Sequence, residues 1–255
     1  MARMKIFNTL EQEAFESPPV FNSAECNRFF TLPLPLTDLI ESLRTPTHKV
    51  CFLVAAGYFK ARRKFFASPF RPADIEFVAQ QIGVNPGAVR QGAYGKETYV
   101  RHQRWILSHF GCSPFDEAAK VFTANEIATL VRVQFRPKLV LLEIIQVLTR
   151  KKIAIPSYHV LATLIVAGVG HHQHTLSQIV NACLSESQRG RLDELLEKEP
   201  GATPADAGWR YRLTLLKKPY QSTRPSKIKA NLADLDTLQA RYLEPAVPAP
   251  LEMCV

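Results

Sequence analysis

The sequence has 255 residues, 46% of them hydrophobic, which is enough apolar material for one or two packed domains and excludes a disordered tail. Its formal net charge of +9 favours an anionic partner. A membrane span is excluded because the longest apolar run, around Val160–Val169, falls well short of the ~20 residues a bilayer requires.

Apolar residues recur at helical spacing almost throughout. Thr47–Arg63 has an apolar face that runs into a basic end, and Pro72–Ile82 is a short amphipathic helix with Pro in its first turn. Ile75–Tyr94 reads IEFVAQQIGVNPGAVRQGAY. The first helix ends at Ile82, Gly83-Val84-Asn85 makes a tight turn, and Pro86 restarts a helix. Ala79 is small where two steeply crossing helices approach, and Val78, Ile82, Val84 and Val89 supply a shared core, the pattern of a helix-turn-helix. Gly92 is a poor fit to that pattern, and an ordinary αα-hairpin accounts for the same residues. Lys96–His109 follows, with Tyr99, His102, Trp105 and Ile106 on one face, and ends at Gly111.

Further on, Thr123 is expected to cap a helix through Gln134, Arg136-Pro137 to start one reaching about Arg150, and Pro156-Ser157 to open a long one to about Leu184. Ser185 caps a last stretch, Gln188–Glu197. No strand alternation is convincing, Ile153–Ile155 being too short, so the expected class is all-α: two consecutive helical bundles containing helix-turn-helix-like units, with a helical C-terminal extension. Turn clusters at Gly111–Pro114 and Glu199–Pro204 divide the chain into 1–112, 113–200, a basic helical extension over 201–244 and a disordered tail over 245–255.

The charge is segregated. Eleven Lys/Arg stand against three Asp/Glu between Arg44 and Arg104, five against one between Arg136 and Leu184, and seven against none between Trp209 and Ala230. Alternating basic blocks and acidic spacers suit a chain that touches double-stranded DNA at several points. In the turn motif Asn85, Arg90 and Gln91 supply the side chains that pair with guanine or adenine edges. Lys60, Arg62, Arg63, Lys64, Lys96, Arg101 and Arg104 would grip phosphates. A second candidate contact is Arg150-Lys151-Lys152 with the helix start at Ser157, Tyr158 and His159. Arg210, Arg212, Lys217 and Lys218 form a third.

Other constellations point away from chemistry. His171-His172-Gln173-His174 puts only the 171/174 pair on one helical face, with no thiolate or carboxylate at ligand spacing. Ser157 and His159 are two apart on a helix and do not face each other, and no acid orients the His. No catalytic residue, metal or cofactor is therefore expected. The cysteines Cys26, Cys51, Cys112, Cys183 and Cys254 hold no CxxC pair and read as free thiols. The N-terminal residues lack an apolar signal segment, so the expected compartment is cytoplasmic.

Four stretches in their order carry a resemblance: HKVCFLVAAGYFK, IEFVAQQIGVNPGAVRQGAYGKETYVRHQRWILSHFG, RPKLVLLEIIQVLTRKKIAIPSYHVLATLI and LSESQRGRLDELL. Together the chain resembles the N-terminal DNA-binding region of transposases from Tn-3-type replicative transposons. The resemblance implies recognition of transposon terminal inverted repeats. It implies no strand transfer by this chain, because the family's metal-binding acidic triad lies in a C-terminal domain to which nothing here corresponds. The expectation is a truncated or split transposase, or a free-standing module that works with a separate transposase subunit. A helix-turn-helix transcriptional regulator and a protein-docking module stand as alternatives.

Overall fold

The computed structural model describes residues 5–31, 39–196 and 225–238, and every regular element among them is helical. The α-helices are α1 (Thr9–Glu16), α2 (Ser23–Phe30), α3 (Pro46–Arg62), α4 (Pro72–Gln81), α5 (Lys96–Phe110), α6 (Glu117–Leu130), α7 (Pro137–Arg150), α8 (Tyr158–Cys183), α9 (Glu186–Asp193) and α10 (Pro225–Leu238). Chain contacts group Met1–His172 in one unit and Gln173–Val255 in another.

In the first unit α3 is the organising element. Thr45 caps it through its hydroxyl, Pro46 opens its first turn, and every residue from Val50 to Phe59 is buried, as expected of a helix apolar all round. It packs against α2, α4 and α5. Gly57 lets α2 cross it, since a Cβ there would lie 2.3 Å from the Phe30 ring. The Tyr58 hydroxyl donates to the buried Asp74 carboxylate of α4, satisfying both polar groups inside this core.

A second core joins α6, α7 and α8 through Ile127, Leu141, Ile144, Leu148, Leu161 and Ile165. Gly168 of α8 allows close approach, because a Cβ there would meet Ile127 at 2.6 Å. The N-terminal arm belongs to this core and not to the first. Ile6 and Phe7 are buried in it, Phe7 stacks on Tyr158 at 5.4 Å, and the Phe7 amide donates to the Tyr158 hydroxyl.

The turn cluster Gly111–Pro114 does separate most of the two cores, yet both lie in the unit Met1–His172. They are joined by Lys152–Ile155, which pairs with two distant segments. The Ser113 amide donates to Lys152 O and the Ala154 amide to Ser113 O, both at 2.9 Å, and the Ile155 amide donates to Arg63 O at 2.8 Å. Among the described residues these isolated bridges are the sole β pairing, so the all-α class holds.

Both bounds of α6 depart from expectation, and it ends at Leu130 instead of Gln134. α6 starts at Glu117, not at Thr123, because the Asp116 side chain accepts from the Ala119 amide and caps it earlier. Thr123 sits buried in mid-helix with its hydroxyl donating to Ala119 O. In the second unit Ser185 caps α9, as expected, within a capping box with Gln188; the helix starts at Glu186, not Gln188, and runs into a 3₁₀ turn, Glu194–Leu196. Of the extension and tail expected over 201–255, residues 225–238 are helical and the others lie outside the described residues.

Candidate nucleic-acid interface

α4 ends as the helix-turn-helix pattern requires. Gly83 takes φ +68°, and the Val84 amide closes back on Ala79 O at 2.8 Å. The expected second helix does not form as an α-helix. In its place are two single 3₁₀ turns, Pro86–Ala88 and Gln91–Ala93. Gly87, Gly92 and Gly95 each weaken an α-helix by about 1 kcal/mol relative to Ala. Asn85 caps the first of these turns by accepting from the Gly87 amide, and Thr47 of α3 accepts at 3.0 Å from the Arg90 amide, a group that a continuing α-helix would bond to Pro86 O. Gln91 is a clamp and not a base reader, since its carboxamide both accepts from the Phe70 amide and donates to Phe70 O. Arg90 keeps an exposed side chain.

The run Lys60–Lys64 divides. The Lys60 ammonium donates to Arg28 O at 2.6 Å and to Thr31 O at 3.3 Å, where it caps the carbonyl end of α2. Lys64 is 5% exposed. Its ammonium lies 2.8 Å from the Glu16 carboxylate, donates to Phe15 O and sits over the Phe15 ring at 3.9 Å. Burial lowers its pKa, and Glu16 opposes that shift. Lys64 is therefore a structural cation, which corrects its assignment as a phosphate contact. Arg62 is exposed, and Arg63 is half-buried with its guanidinium over the Phe59 and Phe110 rings at 5.8 and 5.3 Å. Phe59 and Phe66 are buried in the first core.

At the second candidate contact Arg150, Lys151 and Lys152 are all exposed. Arg150 lies 3.3 Å from Glu143, Lys151 lies over the Phe122 ring at 6.0 Å, and Lys152 adopts the left-handed conformation with φ +56°. The helix start beyond them is already occupied. The Tyr158 amide donates to one oxygen of Glu16, whose other oxygen holds Lys64. A carboxylate of the chain itself thus stands where a phosphate was expected, and Tyr158 is buried against Phe7. Ser157 and His159 remain exposed. Nothing near Tyr158 in the sequence signals Glu16, which is 142 residues away.

α5 has two unlike faces. Inward, His102 is 0% exposed, its Nδ1 is 2.7 Å from the Tyr94 hydroxyl, and its Nε2 has no hydrogen-bond partner. Burial, with His48 and Arg101 adding to it, pulls the imidazole pKa down to about 4, so the ring is neutral at pH 7. Outward, Lys96, Arg101 and Arg104 are exposed, and Arg101 lies over the Trp105 ring at 5.4 Å. Arg210, Arg212, Lys217 and Lys218 lie outside the described residues.

The fold thus brings the two basic runs together through the hydrogen bond between Arg63 and Ile155. Among the described residues no helix is long and apolar enough to cross a membrane, and no group of three or more His, Cys, Asp or Glu is placed to hold a metal ion. A family model described as a domain of unknown function (DUF4158) matches residues 6–168. No curated protein matches the chain.

Proposed function

The chain belongs to the family described as a domain of unknown function (DUF4158), and on that premise we propose that it binds double-stranded DNA. The observation that carries this reading is the joining of two sequence-distant basic runs at Lys152–Ile155, with Arg62, Lys151 and Lys152 left exposed around it. Exposed cations without a carboxylate partner, as Arg62, Lys151 and Lys152 are among the described residues, attract an anion, and a phosphate backbone supplies one at regular intervals. Arg90, Lys96, Arg101 and Arg104 extend the set of exposed cations in the first unit. The finer reading is sequence-specific recognition of transposon terminal inverted repeats, without catalysis, alongside a separate or longer transposase. It is supported by the resemblance of four ordered stretches to the N-terminal region of Tn-3-type transposases.

Titration of a labelled duplex at rising salt tests the core reading. With about six to eight phosphate contacts, affinity should fall by roughly 10³-fold or more between 50 and 200 mM salt. A flat response would overturn it and favour a protein-docking role. Selection from a random duplex pool tests the finer reading. A long asymmetric site supports a transposon end, and a short palindrome bound by a dimer supports a transcriptional regulator instead.

A further inference from the structure

Duplex binding leaves open which element reads the bases. The residues after the Gly83 turn no longer qualify, because they form two single turns and Gln91 is committed to the Phe70 backbone. α5 has the required form. Its 15 residues make a regular helix about 22 Å long, and a helix of 10–12 Å diameter fits the ~12 Å major groove.

The distribution of its side chains supports the same element. Glu97, Arg101, Arg104 and Ser108 are all exposed and recur at three- and four-residue steps, so they share one face. The opposite face, with His102, Ile106 and Leu107 buried, fixes the helix to the first core. Along the axis the outer four span about 16 Å, the length of roughly five base pairs. Their chemistry covers the major-groove code: Arg pairs bidentately with guanine O6 and N7, Glu accepts from cytosine N4, and Ser bonds to either kind of edge. Among the described residues Arg104 has no salt bridge or hydrogen bond to satisfy its guanidinium, and the Arg101 head rests on Trp105, which orients it without neutralising it. The chain entering α5 bears only small side chains at its exposed positions Gly92, Ala93 and Gly95, so nothing bulky precedes the reading face.

We infer that α5 lies in the major groove and that Arg101 and Arg104 determine sequence preference, with Glu97 and Ser108 beside them. The inference rests on the duplex-binding reading above.

The test is selection from a random duplex pool by the full chain and by Arg101→Ala, Arg104→Ala, Arg101→Lys, Arg104→Lys and Gln91→Ala, with melting curves to show that each is folded. Both Ala variants should lose about tenfold or more of the discrimination at one or two base pairs. The Lys variants should keep the salt dependence of the wild type but not its discrimination, because Lys supplies charge without the bidentate fork. Gln91→Ala should melt earlier and still select the wild-type sequence. Replacing the implicated guanine by 7-deazaguanine should weaken the wild type and leave the matching Arg→Ala variant unaffected. The inference is overturned if the Arg variants select the wild-type sequence, if Lys restores full discrimination, or if the wild type binds duplexes salt-dependently without selecting any sequence. In those outcomes duplex binding survives. A wild type that binds no duplex removes both readings together.

Discussion

Lys60–Lys64 and Arg150–Lys152 are short basic runs at the ends of α3 and α7, and the hydrogen bond from Ile155 to Arg63 brings them side by side. In the first run Lys60 caps α2, Lys64 is sealed under Phe15 with Glu16, and Arg63 lies on two aromatic rings. In the second all three cations are exposed, and only Arg150 has a carboxylate partner within 4 Å among the described residues. Two stretches of similar composition thus lie in different surroundings. What separates them is whether a carbonyl or carboxylate from a distant segment reaches the charge, which charge counting along the chain does not register. Substitutions in the two runs should part in the same way, and these substitutions give the comparison its sharpest tests.

The largest effect is expected at Lys64. Lys64→Ala leaves Glu16 and the interior around Phe15 without their cation, and stability should fall by about 2–3 kcal/mol in a denaturant melt. Its duplex affinity, measured where the variant is still folded, should match the wild type. A stable variant with weakened binding would reverse the assignment.

Next comes pH, through a third basic group held inside the fold. The imidazole of His102 is pulled down to about 4 chiefly by burial, below its unfolded value of 6.5. Above that value both states are neutral and the group adds no pH dependence. As pH falls from 6.5 towards 4, the unfolded chain takes up a proton that the folded chain refuses, so stability should drop with a slope approaching about 1.4 kcal/mol per pH unit. His102→Asn should remove that slope and keep a hydrogen-bonding group at the Nδ1 position for Tyr94; an unchanged profile would show that His102 is not the group responsible.

Smaller again, Lys60→Ala removes two hydrogen bonds to the carbonyl end of α2 and should cost about 1 kcal/mol in the same denaturant assay. Smallest for stability is the pair Lys151→Ala and Lys152→Ala, expected within about 0.5 kcal/mol of wild type because both side chains are exposed. For duplex binding the order inverts: each should reduce the salt slope by about one. Loss of stability in this pair, with binding untouched, would erase the contrast between the runs.

Much of the fold was legible because long helices announce themselves. α3, α4, α5, α7 and α8 fall close to where periodicity, Pro at the first turn and Gly111 at an end placed them. α1 and α2 have eight residues each, too short for periodicity to register. Their signal lay in the spacing of Asn8 with Glu11 and of Asn22 with Glu25, each a capping box. The second helix of the turn motif failed because glycine spacing and the capture of the Arg90 amide by Thr47 outweighed the restart at Pro86. For the candidate site, sequence identified the cations but could not rank them. Lys60, Lys64 and Tyr158 are tied to Arg28, Glu16 and Phe7, and no local pattern specifies partners so far away in the chain.

The hydrogen bond from Phe7 to Tyr158 spans 151 positions in the chain. During synthesis the arm precedes its partner by 151 residues. At 5–20 residues per second the delay is roughly ten to thirty seconds, far longer than a helix needs to form. Through that interval α3 can collect α2, α4 and α5 around itself, while Ile6 and Phe7 lack the surface that Tyr158 completes. A nascent chain arrested before Tyr158 therefore leaves Ile6 and Phe7 uncovered, and completion of α8 withdraws them from solvent.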